Sequence, residues 1–415
     1  MIDTAKHLKK RHRREKIFRT CGLLSIIFAT TMLAVLLLDL GSKAIPAFRQ
    51  SMVSLTIYYD RNDIDVLSPQ TIRSSDFRGL VRDTLLESFP EIKTRGEKKL
   101  VAALLSSAAE DVLRQRVLEN PALINSTETV WLPLSDAADQ YIKHHRDNKT
   151  QSSLSPVQQQ ALEKLITQNN IKEQFNKTFF TAADSRQPES AGILGALVGT
   201  IMTLGITIVL AFPLGIMAAI YLEEFAGNSR LRNIIEININ NLAAVPSIIY
   251  GLLGLSVFLV FFEWPRSSPL VGGAVLALLT LPTAIIATRA ALQSVPDSIR
   301  QAAQGLGASP VQVVFHHVVP CAIPGILTGM ILGIARAVGE TAPLLLIGMV
   351  AFISDIPQNL GSSATVLPVQ IFLWSSNPEI GYQEKTAAAI LVLMVFLLTM
   401  NATAIYLRKK LEKKW

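Results

Sequence analysis

The feature that most constrains this chain is a set of nearly uncharged apolar runs, each long enough to cross a bilayer core, which takes about 20 helical residues. They lie at roughly Cys21 to Leu38, Ile193 to Leu222, Asn241 to Phe262, Leu270 to Leu292, Ile323 to Ile353 and Ala387 to Leu407. Ile323 to Ile353 is longer than one crossing needs, so its ends must tilt, break or leave the membrane. Half of the residues are hydrophobic and only 17% are charged, too apolar a balance for an ordinary soluble enzyme.

Charge sets the topology. Before the first run, Lys6, Lys9, Lys10, Arg11, Arg13, Arg14, Lys16 and Arg19 stand against Asp3 and Glu15, and the tail carries Arg408, Lys409, Lys410, Lys413 and Lys414. Basic flanks stay in the cytoplasm, which places both ends inside, and six crossings agree with that. The net charge of +7 is therefore read as a topology signal and not as a nucleic-acid footprint. The first run exceeds a signal-peptide core and lacks a clear small-x-small cleavage site, so it reads as a retained signal anchor.

Residues 42 to 190 mix charges of both signs and contain no spanning run, which marks a soluble insertion on the outer, periplasmic side. Glu97 to Leu118 shows a helical apolar stripe through Leu100, Leu104, Ala108 and Val112. Ser155-Pro156 opens a second helix running to Thr167, with serine as cap and proline in the first turn. Leu55 to Tyr59 and Thr129 to Leu132 read as strands. The expected architecture is an all-α polytopic membrane protein with six transmembrane helices and an α+β periplasmic insertion. Its parts are 1–41 (basic N-terminus and first span), 42–190 (insertion), 191–407 (five spans) and 408–415 (basic cytoplasmic tail).

Cys21 and Cys321 lie far apart and imply neither a disulfide framework nor a cysteine metal site. The adjacent pairs His144-His145 and His316-His317 point to different helix faces, so no metal is expected. Glu223, Glu224, Arg230 and Arg232 read as a solvated cytoplasmic loop.

The cytoplasmic loop between Ala290 and Pro320 holds Val295-Pro-Asp-Ser-Ile-Arg-Gln-Ala-Ala-Gln-Gly-Leu-Gly-Ala-Ser309. A short helix is expected from Asp297 to about Gly305, capped by Asp297 or Ser298 and ended by Gly305 and Gly307. From composition alone it could equally be a plain connector. The string Arg300-Gln-Ala-Ala-Gln-Gly-Leu-Gly-Ala308, with Pro324-Gly325 beyond it, resembles the coupling-loop signature of type I ATP-binding-cassette importer permeases. That signature usually begins Glu-Ala-Ala, and Gln301 replaces the glutamate. The resemblance, over about residues 192 to 407, implies the type I importer permease fold. It also implies a helix docked on an ATPase partner through Gln301, Ala302, Ala303 and Gly307. No Gly-x-x-x-x-Gly-Lys-Ser/Thr loop is present. The chain is thus expected to bind no cofactor and to be no enzyme, with ATP and Mg held by the partner.

The fifth run contains Ala335-Arg-Ala-Val-Gly-Glu-Thr-Ala-Pro-Leu-Leu345. An ionisable residue at membrane depth costs at least about 2.5 to 3.5 kcal/mol and needs a partner or a function. Arg336 and Glu340 are four apart and share a helix face, so a self-neutralised packing pair is one reading. The other is a substrate pathway. Pro343 cannot donate to the carbonyl of Gly339, Thr341 adds a hydroxyl, and the Arg336 fork suits a tetrahedral oxyanion. This string, and Val245-Pro-Ser-Ile-Ile-Tyr-Gly251, resemble phosphate-specific permeases of the PstA type. Many of those have an arginine where this chain has Ile286 and a glutamate where it has Arg289, so Arg289 is carried as a further pathway candidate. The resemblance implies a PstC-type permease, a PstB-type ATPase dimer and a periplasmic phosphate-binding protein as partners in phosphate import at the bacterial inner membrane. A permease for another oxyanion (sulfate, molybdate or phosphonate) and a non-transporting membrane component of phosphate signalling are the alternatives.

Overall fold

The computed structural model describes residues 4–60, 64, 71–72, 75–144, 153–227 and 229–411. His145, Lys413 and Lys414 lie outside the described residues. The chain begins with helix α1 (Thr4–Ala44), whose apolar side chains are exposed almost all round, as a helix that meets lipid or another subunit must be. Its C-terminal end is held by this chain, with Ala44 buried in a cluster that includes Tyr382 and Ala388.

A three-stranded antiparallel sheet follows. Its central strand is β1 (Arg49–Tyr58), flanked by β2 (Thr127–Pro133) and β3 (Ile171–Phe175). The segments expected as strands, Leu55 to Tyr59 and Thr129 to Leu132, lie in β1 and β2, with Tyr59 just past the end of β1, and Val53, Leu55 and Ile57 all point to the buried face. That face is covered by α2 (Phe77–Glu87), α3 (Arg95–Ala102), α4 (Ala108–Glu119), α5 (Asp136–His144) and α6 (Pro156–Thr167). One core unites Ile57, Phe77, Leu85, Leu113, Leu132 and Leu162. The cap expected at Ser155 is formed, and Gln158 completes it as a capping box. The single helix expected from Glu97 to Leu118 is two. The chain leaves the helix at Ala103, Leu105 bridges to Leu134, and the Ser106 N–H donates to the Pro133 carbonyl. Sheet pairing there overrides an unbroken helical pattern.

After the short helix α7 (Lys177–Thr181) comes the membrane-embedded portion. Helix α8 (Leu194–Ile220) continues without a break into a π turn, Tyr221–Phe225. Helix α9 (Arg230–Ala243) is followed by α10 (Ser247–Gly254), which runs into a second π turn, Leu255–Phe261. Then come α11 (Pro269–Gln293), α12 (Asp297–Gly305), α13 (Val319–Gly339), α14 (Ala342–Leu346), α15 (Leu367–Ser375) and α16 (Ile380–Leu411). Among the described residues five helices are long and apolar enough to cross a membrane, and a sixth crossing arises if the pair Arg230–Ala243 and Ser247–Phe261 is one span. That pair is bent by 99°, the geometry of a broken span or of a re-entrant loop, so the run expected from Asn241 is not one continuous helix. The break falls at Val245-Pro246, where proline removes a donor and pushes the residue before it out of the helical region.

The insertion is tied to the start of α16 by buried polar contacts. Lys143 lies 2.5 Å from Asp139 and 3.6 Å from Glu384, and the Lys385 ammonium donates to the Ala191 carbonyl. Asp136 accepts from the backbone N–H of Gly381, in the first turn of α16. Burial, then the charges of Asp139 and Glu189, push the Asp136 carboxyl up to about 6. A carboxyl whose pKa is raised by docking favours the docked state when protonated; that contribution is whole below the ordinary carboxyl value of 3.8 and is lost as pH rises from there through about 6. Asp136→Asn should therefore raise stability at pH 7.5 by about 1–2 kcal/mol, by roughly half of that near pH 5, and by almost nothing near pH 3.5, below the ordinary carboxyl value. Thermal unfolding of the detergent-solubilised chain at these pH values checks this.

Candidate functional site

Helix α13 carries the ionisable pair and ends on it. Glu340 leaves the helical region (φ −83°, ψ 113°), and Pro343 stands in the first turn of the next helix. The loosening expected at Pro343 is thus a full break between α13 and α14. Arg336 Nε remains 3.7 Å from Glu340 Oε1, the side chains being 50% and 22% exposed. Thr341 sits at the start of α14, where its carbonyl accepts from the Leu344 and Leu345 N–H groups at 3.0 Å each.

The second diagnostic string packs onto this break. A Cβ at Gly251 would lie 2.7 Å from Pro343 Cα, so only glycine lets α10 approach α14 this closely. The neighbouring Tyr250 donates its hydroxyl to the Leu242 carbonyl at 2.7 Å and lies within electrostatic reach of Arg336. Two strings almost a hundred residues apart in sequence therefore form one structural unit around a half-exposed guanidinium.

Arg289 is not part of that unit. Helices α11 and α13 run antiparallel, with Ala287 against Gly329 and Thr280 against Gly333. At about 1.5 Å of rise per residue, Arg289 lies roughly 18 Å along the axis from the level of Arg336. It sits instead in a ring of charges. Its Nε donates to Glu223 at 3.2 Å and its second terminal nitrogen to Glu236 at 2.7 Å. Arg232 donates to the same two carboxylates, at 3.5 Å to Glu223 and 2.7 Å to Glu236. The solvated loop expected for Glu223, Glu224 and Arg232 is thus a largely buried ion-pair assembly, and only Arg230 keeps an exposed position. Nothing in the local spacing except the four-residue interval from Arg232 to Glu236 announces it.

Helix α12 spans the residues expected, but Pro296 takes the N-cap position and no side chain caps it. Its other end is a Schellman turn: the Ala308 N–H donates to Ala303, the Gly307 N–H to Gln304, and Gly307 holds φ +86°. Of the four residues expected to contact a partner, Gln301, Ala302 and Gly307 are exposed, whereas Ala303 is turned inward against Leu292, Val295, Val314 and Val318. Ala303 therefore supports the helix from behind. Leu306, which sequence reasoning passed over, is 89% exposed at the helix end. A leucine held between two glycines in a polar loop was the available signal. Arg300 holds α12 in place: it grips Glu224 through two nitrogens, at 2.8 and 3.3 Å, and donates to the carbonyls of Leu292 and Val295.

Residues 211–413 match the family of binding-protein-dependent transport system inner membrane components, and residues 5–152 match a domain of unknown function. Among curated relatives, the phosphate transport system permease protein PstA 1 of Mycobacterium tuberculosis is 35% identical over 53% of this chain and 71% of its own length. PstA of Haemophilus influenzae is 33% identical over 54% of this chain and 77% of its own. Of solved structures, an inward-facing MetNI methionine ABC transporter is similar at 16% identity over 54% of this chain and 95% of that one, with a TM-score of 0.42, too distant to decide anything. The extent and identity of the sequence relatives place this chain in the PstA-type family of ABC importer permeases, the binding-protein-dependent inner membrane components.

Proposed function

We propose that this chain is a transmembrane half of an ATP-driven importer of inorganic phosphate. The observation that carries the reading is the half-exposed Arg336 at the break between α13 and α14. A pair serving only to pack helices gains most when buried and closed. This one leaves most of the guanidinium's donors free, beside a helix break whose backbone has left the regular hydrogen-bond ladder. Such a fork suits two oxygens of a tetrahedral anion at once. Glu340 would hold the fork in place and weaken the grip on the anion, so that the cargo is released. Thr341, next in sequence to Glu340, would add a hydroxyl donor.

Position supports the rest. By the excess of basic residues at the chain ends, both termini are cytoplasmic and residues 42–190 periplasmic, in the bacterial inner membrane. The partners we infer are a PstC-type permease, completing the pathway, a PstB-type ATPase dimer and a periplasmic phosphate-binding protein. Among their sources is the naming of the relatives as phosphate transport system permeases. This chain would bind no cofactor of its own, ATP and Mg belonging to the ATPase. The outer face of α12, with Gln301, Ala302, Leu306 and Gly307, is the surface we assign to the ATPase. Arg289, held in its ring, would contribute to the pathway only through structure.

Two experiments test this reading. Arg336→Lys should reduce phosphate uptake by about tenfold or more, since a point ammonium cannot reproduce the bidentate fork. The double variant Arg336→Met, Glu340→Leu should assemble normally and carry nothing, because apolar replacement of such a pair is often neutral for packing. Normal phosphate uptake by the double variant would refute the pathway reading. On the other surface, Leu306→Asp should leave the chain inserted but sharply reduce ATPase co-purification. Ala303→Asp should instead destabilise this chain itself by several kcal/mol, since it buries an unpaired charge.

A further inference from the structure

The two consecutive carboxylates Glu223 and Glu224 sit in the π turn that ends α8, and they point to different partners. Glu223 bridges Arg232 and Arg289, closing with Glu236 a ring in which each carboxylate lies between two guanidiniums. Glu224 receives two nitrogens of Arg300 from α12 and is only 8% exposed. Among the described residues, Arg300 to Glu224 is the one ion pair joining α12 to the end of α8. The two elements have no covalent connection except through the whole of α9 to α11. A displacement of α12 thus has a direct polar route into α8. The ring fastens α9 and α11 to the same turn.

We propose that Glu224 and Arg300 are positioning residues that transmit movement of α12 into α8, with the ring of Glu223, Arg232, Glu236 and Arg289 making α8, α9 and α11 respond as one body. A mere anchor for the loop would not need a bidentate, largely buried grip on a turn that is itself locked to two further helices. The π turn supplies the geometry, since its widened backbone lets successive carboxylates serve separate networks, and such turns concentrate at functional sites. The proposal rests on the reading of α12 as the surface that meets the ATPase.

The test uses the whole complex in liposomes, with ATP hydrolysis and uptake of inorganic phosphate measured in parallel. Glu224→Gln keeps the shape of the side chain but removes its charge. It should lower phosphate carried per ATP by about tenfold, within the range found for residues along coupling routes, while hydrolysis and co-purification stay within about twofold. Arg300→Gln should lower the ratio as well. An unchanged ratio in Glu224→Gln would overturn the proposal. Cross-linking of Leu306→Cys to the ATPase in an otherwise unaltered chain reports on the docking reading itself. If that cross-link is absent, the docking reading fails and transmission with it. If it is present while Glu224→Gln loses coupling, transmission stands.

Discussion

A charge in an apolar medium must be paired, and most of the polar architecture of this chain follows from that. Ion pairing at membrane depth is expensive to break, because removing one partner leaves the other uncompensated. Arg289 shows the rule applied fully: a guanidinium near the end of an apolar helix meets two carboxylates from two other elements. Arg336 shows it applied in part, with one carboxylate at 3.7 Å and half of its side chain open. The ring closes around Arg289, whereas the open pair leaves half of the Arg336 side chain exposed.

Close helix packing makes both arrangements possible. Lipid tails are as apolar as leucine, so spans associate through tight packing of small residues. Ala284 lies against Gly215 of α8, and Ala287 and Ala291 lie against Gly329 and Gly325 of α13. Helix α11 is thereby held between α8 and α13, which fixes Arg289 opposite the π turn. The same principle at Gly251 seats α10 on the break beside Arg336. Backbone proximity, in both cases, brings distant sequence together.

The insertion has its own apolar core yet is not independent of the spans. Its α5 contributes Asp136, Asp139 and Lys143 to a buried polar seam with the first turns of α16. Lys143 answers two carboxylates from opposite sides of the seam, so the two bodies share a charge balance. The insertion meets the last span there through charged groups of both elements.

The sequence by itself determined the class of molecule, because apolar length, charge placement at the ends and the absence of a nucleotide loop are local properties. It also located α12 to the residue, since a proline before it and Gly307 after it set its limits through backbone chemistry alone, and it paired Arg336 with Glu340 by spacing. What it left open was everything that depends on which face meets which. The carboxylates Glu223 and Glu224 read as solvated because their partners come from Arg289 and Arg300, dozens of positions away. Ala303 and Ala302 are neighbours of one type, and only the packing of α12 against Val314 and Val318 turns one inward and leaves the other exposed. The break between Ala102 and Ala108 arises from a bridge to Leu134 that no local pattern records. Pairing across long sequence separations is decided by the free energy of the whole packed structure, and for that reason only the tertiary structure could show it.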